Sequence, residues 1–152
     1  MTARETIAVR RGAAADLDAI VEIEERSLDG DVMSRRSLRR DRSAPACTLQ
    51  VATVDGVVAG YGLISLTRGH KAARLYSIAV SASFGRRGLG KTLLEACEAA
   101  ARTRGAQALR LEVRRDNHGA ATLYRTSGYR LFEEVEDYYE DGETALRFEK
   151  AL

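Results

Sequence analysis

The 152-residue sequence contains no tryptophan, one proline, two cysteines and two histidines. Each shortage excludes something. Cys47 and Cys97 lie far apart with no C-x-x-C pair, so neither a disulfide framework nor a zinc site is expected. A reducing, cytoplasmic setting is the simplest home for them. His70 and His118 have no partner at metal-ligand spacing, and no metal is expected. One proline gives no basis for a long disordered tail. No apolar run approaches the ~20 residues that span a bilayer, and "MTARETIAVRRG" lacks the apolar core of a signal peptide. No membrane association is therefore expected. The net charge is only +2, too small and too mixed to suggest a nucleic-acid partner. What is present is ordinary for a globular protein: 45% hydrophobic and 30% charged residues. The length suits one domain over residues 1–152, able to bury roughly 68–70% of its unfolded surface.

Hydrophobic periodicity divides the chain into strands and helices. "IAVRRG" (7–12) alternates as a short strand. "ADLDAIVEIEERSL" (15–28) places Leu17, Ile20, Val21 and Glu24 at helical spacing, with Asp16 as N-cap. "SRRSLRRD" (34–41) reads as a short basic helix beginning at Ser34. "CTLQVATVDGVVAGYGLISLTR" (47–68) is a hairpin turning at Asp55-Gly56. "AARLYSIAV" (72–80) is another strand. "GLGKTLLEACEAAARTRG" (88–105) is a helix with Leu89, Leu93, Cys97 and Ala100 on one stripe and Gly105 at its end. "ALRLEV" (108–113), a helix over 117–128, and strands over 129–135 and 144–152 complete the chain. The expectation is a mixed α/β fold: an antiparallel meander, one β-α-β crossover, a second helix and a terminal hairpin.

The glycine-rich segment "SFGRRGLGKTLLEA" (83–96) joins a strand to a helix. The first amides of a helix lack intrahelical partners and carry partial positive charge, so such a junction suits an anion. Gly85, Gly90, Lys91 and Thr92 match the phosphate-loop pattern G-x-x-x-x-G-K-[ST] letter for letter. The surrounding chain argues against a nucleoside triphosphate. The loop comes late, a meander precedes it, and the strand after it carries no terminal acid to help hold magnesium.

Taken together, "LYSIAVSASFGRRGLGKTLL", "LRLEVRRDNHGAATLYRTSGY" and "DYYEDGETALRFEKAL" resemble the GNAT superfamily of N-acetyltransferases over nearly the whole chain. Within it, the sequence is most similar to the ribosomal-protein alanine N-acetyltransferases. The resemblance implies the acyl-CoA N-acyltransferase fold, a mixed sheet of six to seven strands flanked by about four helices. It also implies acetyl-CoA as co-substrate. Backbone amides of Arg86, Arg87, Gly88, Leu89, Gly90 and Lys91 would hold its pyrophosphate. Ile78, Ala79 and Val80 would line the thioester arm and pair with it as an added strand. Asn117 would touch that arm, and Tyr124 would lie near the sulfur. Gly85 departs from the family cradle, where Gln or Arg is usual.

Acetyl transfer to an amine needs a neutral nucleophile, an oxyanion donor and a proton for the departing thiolate. An α-amine has pKa near 8 and a lysine near 10.4, so a base assists attack. Glu112 is the candidate base by resemblance. Alternation alone leaves it equally a member of a solvated strand face with Arg110 and Arg114. Tyr124 is the candidate acid, the other reading being an aromatic packed on the sheet. A backbone N–H around Val80 is the candidate oxyanion donor. Cys97, on the apolar stripe, reads as core.

Two charge clusters flank these residues. "EEVEDYYEDGE" (133–143) holds seven acids and either draws in a cationic amine or forms a solvated loop. Within it, Tyr138 and Tyr139 are candidate substrate contacts. "RRSLRRDR" (35–42) holds five arginines and reads as an exposed helix. The function expected is transfer of an acetyl group from acetyl-CoA to a primary amine in a ternary complex. The acceptor is a peptide or protein N-terminus or a lysine, and the protein is a monomer or homodimer. A small-molecule amine acceptor, or a regulatory module that senses acetyl-CoA without turnover, remains the alternative.

Overall fold

The computed structural model describes residues 4–26 and 44–152. The expected helix over 34–41 and the arginine cluster over 35–42 lie outside these residues. Seven strands form one sheet: β1 (Ile7–Arg11), β2 (Cys47–Val54), β3 (Val57–Ser65), β4 (Ala72–Val80), β5 (Ala108–Arg114), β6 (Arg130–Val135) and β7 (Ala145–Ala151). Their spatial order is β1-β2-β3-β4-β5-β7-β6. Three α-helices are described: α1 (Leu17–Glu25), α2 (Leu89–Thr103) and α3 (His118–Thr126).

Local sequence explains most of this. Asp55 and Gly56 both have positive φ (51° and 81°), the requirement of a tight two-residue hairpin, so β2 and β3 pair antiparallel. Helix α2 carries the chain from β4 to β5, and these two strands are accordingly the parallel pair. β7 inserts between β5 and β6, antiparallel to both.

Two features of β4 have no counterpart in the sequence pattern. Leu63 pairs with Ser77 while its neighbour Ile64 pairs with Leu75, so Tyr76 is an extra residue, a bulge. In addition, β4 pairs with β5 only over Ala72–Leu75. From Tyr76 onward β4 is bonded on its β3 side alone, and the sheet opens into a wedge between β4 and β5.

The two faces of the sheet are covered differently. Leu93, Leu94, Cys97 and Ala101 of α2 and Ala121 and Tyr124 of α3 pack on one face, against Ile64, Leu75, Leu109, Leu111 and Phe148 among others. On the other face α1 places Leu17, Ile20 and Ile23 on Leu49, Val51, Tyr61 and Leu63. Each such fully buried aliphatic or aromatic side chain stabilises the fold by about 1.5–3 kcal/mol. Glycines in β3 allow the close approach of α2. A Cβ on Gly60 would lie 2.8 Å from the Ala79 carbonyl oxygen and 2.9 Å from Leu93 Cδ1.

Helix α1 is shorter than its periodicity suggests, and Asp16 does not cap it. Asp16 closes a 3-10 turn at Ala14–Asp16 instead. Its carboxylate accepts the Ala13 N–H at 2.7 Å and two N–H bonds from Arg10 at 2.7 and 2.9 Å. A bidentate guanidinium outcompetes a single helix amide for a carboxylate, so the acid turns back toward β1.

Candidate active site

The wedge beside β4 opens into a cleft of about 570 Å³. Ile78, Ala79 and Val80 form one wall, Ser81, Ser83 and Gly90 the loop end, and Asn117, Ala120, Leu123 and Tyr124 of α3 the opposite wall. Its shape follows from the strand pairing: the edge of β4 from Tyr76 to Val80 has no β5 beside it, so an extended ligand can pair there as another strand does.

The loop at the mouth of this cleft has a backbone form that suits an anion. Arg86 and Gly88 both take positive φ (63° and 69°), which turns the chain tightly into α2. Gly88 is the N-cap and provides no side-chain cap, leaving the first-turn amides of Leu89, Gly90 and Lys91 without a capping side chain. The Thr92 hydroxyl donates to the Gly88 carbonyl oxygen at 3.0 Å, as a first-turn helix residue does, and Leu89 is core. The Arg87 side chain is held within the protein. Its guanidinium donates to both carboxylate oxygens of Glu5, at 2.6 and 2.7 Å, and lies over the Phe84 ring. Of the residues expected around acetyl-CoA, Ile78, Ala79, Val80, Gly90, Asn117 and Tyr124 line the cleft; Arg86, Arg87, Gly88, Leu89 and Lys91 do not.

A second cavity of about 260 Å³ lies at the inner end of the wedge. Glu24, Arg74, Tyr76, Glu112, Tyr124 and Tyr139 line it. Ile78 and Tyr124 line both cavities, so the two adjoin at these residues. Glu112 is only 10% exposed in its side chain and is ion-paired with Arg74 at 2.7 Å. Tyr138 donates its hydroxyl to the same carboxylate oxygen at 3.5 Å. Tyr124 is buried at the end of α3 nearest the sheet, its ring edge-on to Tyr129 and tilted against Phe148. Asn117 positions that helix: its side-chain oxygen accepts the Ala120 N–H at 3.2 Å, an N-cap bond.

Behind the cavity, polar groups are held in pairs. Tyr129 donates to the buried Glu98 at 2.8 Å, and Lys150 approaches the same carboxylate at 3.2 Å. Burial, then the Glu98 hydrogen bond, raise the Tyr129 phenol well above its ordinary range. Burial also pushes the Cys97 thiol up to about 12, which leaves it a core group rather than a nucleophile. Arg114 holds Asp116 and Asp141, and its guanidinium lies over the Tyr139 ring. The loop carrying Tyr139 is thereby fastened to the end of β5, and Tyr139 reaches the cavity while Tyr138 stays exposed at its rim.

Two charged residues of this cavity, Glu24 and Arg74, are not among the sequence candidates. Glu24 is 3% exposed and accepts a 2.5 Å hydrogen bond from Ser77, which also bonds the Tyr61 hydroxyl. An acid in the apolar stripe of α1, after Leu17 and Ile20, was the available signal, because a buried carboxylate requires polar partners. Arg74 gave no signal: only the pairing of β4 with β5 brings it to Glu112. Among the described residues no group of histidine, cysteine or acid side chains could hold a metal.

Residues 16–129 match the acetyltransferase (GNAT) family. An N-alpha-acetyltransferase of Sulfurisphaera tokodaii is 30% identical over 148 residues, covering 90% of this chain and 88% of the relative. The ribosomal protein bS18 alanine N-acetyltransferase of Salmonella typhimurium is 43% identical over 67 residues, 44% of this chain and 45% of its own. The crystal structure of the ribosomal-protein-S18-alanine N-acetyltransferase from Escherichia coli superposes with a TM-score of 0.85 at 27% identity, covering 96% of this chain and 94% of that one.

Proposed function

The chain belongs to the GNAT family and is an acetyl-CoA-dependent N-acetyltransferase, and from that premise we propose that it acetylates the α-amine of a peptide or protein N-terminus by direct attack within a ternary complex. The observation that carries this reading is the adjoining of the two cavities at Ile78 and Tyr124. One has the open strand edge and helix N-terminus that suit a pantetheine arm and pyrophosphate. The other has a carboxylate at its wall. An acceptor amine in the second meets the thioester carbonyl at the junction without any acyl-enzyme step. Relatives named as N-alpha-acetyltransferase and ribosomal-protein alanine N-acetyltransferase support a peptide acceptor.

In this reading Glu112 takes a proton from the acceptor ammonium, directly or through one water, so that the neutral amine attacks. The N–H groups of β4 beyond the bulge face the carbonyl oxygen as negative charge develops on it. Tyr124 gives its phenolic proton to the leaving thiolate. Arg86, Arg87, Gly88, Leu89, Gly90 and Lys91 hold the pyrophosphate through the backbone, and Asn117 steadies the arm. Tyr138 and Tyr139 flank the entering peptide.

The test is an acetyl-CoA consumption screen against N-terminal peptides, lysine peptides and small amines, read by thiol release and by mass shift of the acceptor. Acetylation at the α-amine of peptides is expected. Acetylation of small amines alone would overturn the peptide reading. Coenzyme A binding with no thiol release across all acceptors would replace it with a regulatory module.

A further inference from the structure

A third cavity, of about 310 Å³, opens on the sheet face beside Glu112 and is lined by His70, Lys71, Arg74, Arg110, Glu112 and Arg147. It shares Arg74 and Glu112 with the acceptor cavity, so the ion pair between those two side chains forms the common wall. Strand pairing explains the cluster. Arg74 is in register with Arg110 across β4–β5, and Glu112 with Arg147 across β5–β7. No helix among the described residues covers this part of the sheet.

Four cations meet three carboxylates here. Arg74 pairs with Glu112, Arg110 with Glu149 and Arg147 with Glu133. Among the described residues Lys71 has no carboxylate partner. The guanidinium side chains of Arg74 and Arg110 are nearly half exposed, so both can be reached from solvent, and the more open Arg110–Glu149 pair contributes little net stability. An incoming carboxylate can therefore exchange into them readily. Arg110 and Arg147 also lie over the Phe132 ring, which keeps the two guanidinium groups near each other. The acidic segment over 133–143 is partly spent: Glu133 and Asp141 are committed to Arg147 and Arg114.

We infer that this cavity is an anion subsite for the acceptor, so that the preferred acceptor carries a carboxylate close to its reacting amine, as a peptide does with Asp or Glu at its second or third position. The geometry fits that spacing. Arg110 lies two residues from Glu112 on the same strand face, about 7 Å along it. An extended peptide advances ~3.3–3.6 Å per residue, so an acid one or two residues after the amine reaches the arginines. The acceptor's carboxylate would also replace Glu112 as the partner of Arg74. That exchange frees the Glu112 carboxylate for the ammonium proton only when an acidic acceptor is seated.

This inference rests on the N-acetyltransferase reading above, and the experiment separates the two. Steady-state kinetics would be measured with peptides identical except for Glu, Gln or Lys at the second and third positions. In parallel, a pair of small amines would be compared, one bearing a carboxylate and the other its amide. The expected result is a kcat/KM for the acidic member at least tenfold above its neutral partner, with KM lowered by the subsite and kcat raised by the release of Glu112. In Arg110→Gln and, separately, Lys71→Gln, the acid-over-neutral ratio should fall severalfold. Equal rates for acidic and neutral acceptors, a preference for the Lys peptides, or a ratio unmoved in both variants would overturn the subsite while leaving the acetyltransferase reading intact. Turnover of small amines only would overturn the peptide reading, and the carboxylate–amide pair would still decide the subsite. Absence of turnover with every acceptor, with coenzyme A bound, would overturn both.

Discussion

A carboxylate that takes a proton from an ammonium must be reachable from the acceptor side, and Glu112 meets that condition while sharing one oxygen between Arg74 and Tyr138. In Glu112→Gln, turnover should fall most near neutral pH and recover as pH rises past the α-amine pKa of ~8, where the acceptor deprotonates unaided. A loss of about 10²-fold at neutral pH is the scale of general-base catalysis. A pH–rate profile superposable on that of the wild type would remove Glu112 from the role. The role proposed for Tyr124 has a different signature, because in it the phenol acts only as the thiolate leaves. Tyr124→Phe keeps the ring that packs on Tyr129 and Phe148. It should slow kcat by roughly 10-fold or more with coenzyme A affinity held, measured by titration calorimetry beside single-turnover rates. Wild-type turnover would exclude it. Both residues stood out in the sequence as candidates through the family resemblance, and the structure brings both to the walls of one cavity. Glu24 and Arg74 were not recognised, since their partners Ser77 and Glu112 are distant in sequence and are brought to them only by the bulge and the β4–β5 pairing.

At the scale of elements, the alternation that places Ala73 and Leu75 inward breaks at Tyr76, where the bulge inserts a residue. Strand and helix positions were readable to within one or two residues in most of the chain, because the Asp55-Gly56 turn and the stripes of α2 and α3 are local signals. The exception is α1, where a contact to Arg10 of β1 took the carboxylate of Asp16 from the helix. The opening of the sheet was not readable at all: it depends on how far two strands stay paired, and no local pattern records that. Helix α2 docks on β3 through the space left by Gly60. Gly60→Ala would force its methyl against the Ala79 carbonyl and Leu93. Overpacking of this kind costs about 1–3 kcal/mol. Urea unfolding should report a loss in that range, together with weaker coenzyme A binding, because Ala79 also lines the cleft proposed for coenzyme A. Unchanged stability would mean that α2 and β4 shift freely past each other.

For the whole molecule, the groups displaced from their ordinary pKa values stand at opposite ends of the pH scale and bound the range of stability. Asp16 is held below its usual value by the Arg10 guanidinium and, to a smaller extent, the Ala13 amide, against the opposing effect of burial. Its unfolded counterpart binds a proton first as pH falls. The stability it contributes is therefore present above the unfolded value, ~3.9, and is lost as pH drops through the lower folded value. Tyr129 and Cys97 act in the opposite sense. Burial, reinforced by the Glu98 carboxylate, raises both, so the folded protein keeps protons that the unfolded chain releases. Their contribution is complete below the unfolded values of ~8.5 for the thiol and ~10 for the phenol, and it declines as pH climbs beyond them. Thermal unfolding followed from pH 3 to 11 should accordingly show a plateau with an acid and an alkaline limb. Asp16→Asn should flatten the acid limb and lower the plateau, because the Arg10 pair is lost at every pH. In Tyr129→Phe the alkaline limb should become shallower above pH ~10, since no phenol remains to be released on unfolding. An alkaline slope equal to that of the wild type in Tyr129→Phe would show that the buried phenol titrates alike in the folded and unfolded chains. The network behind Tyr124 would then lack the closed environment that its contacts describe.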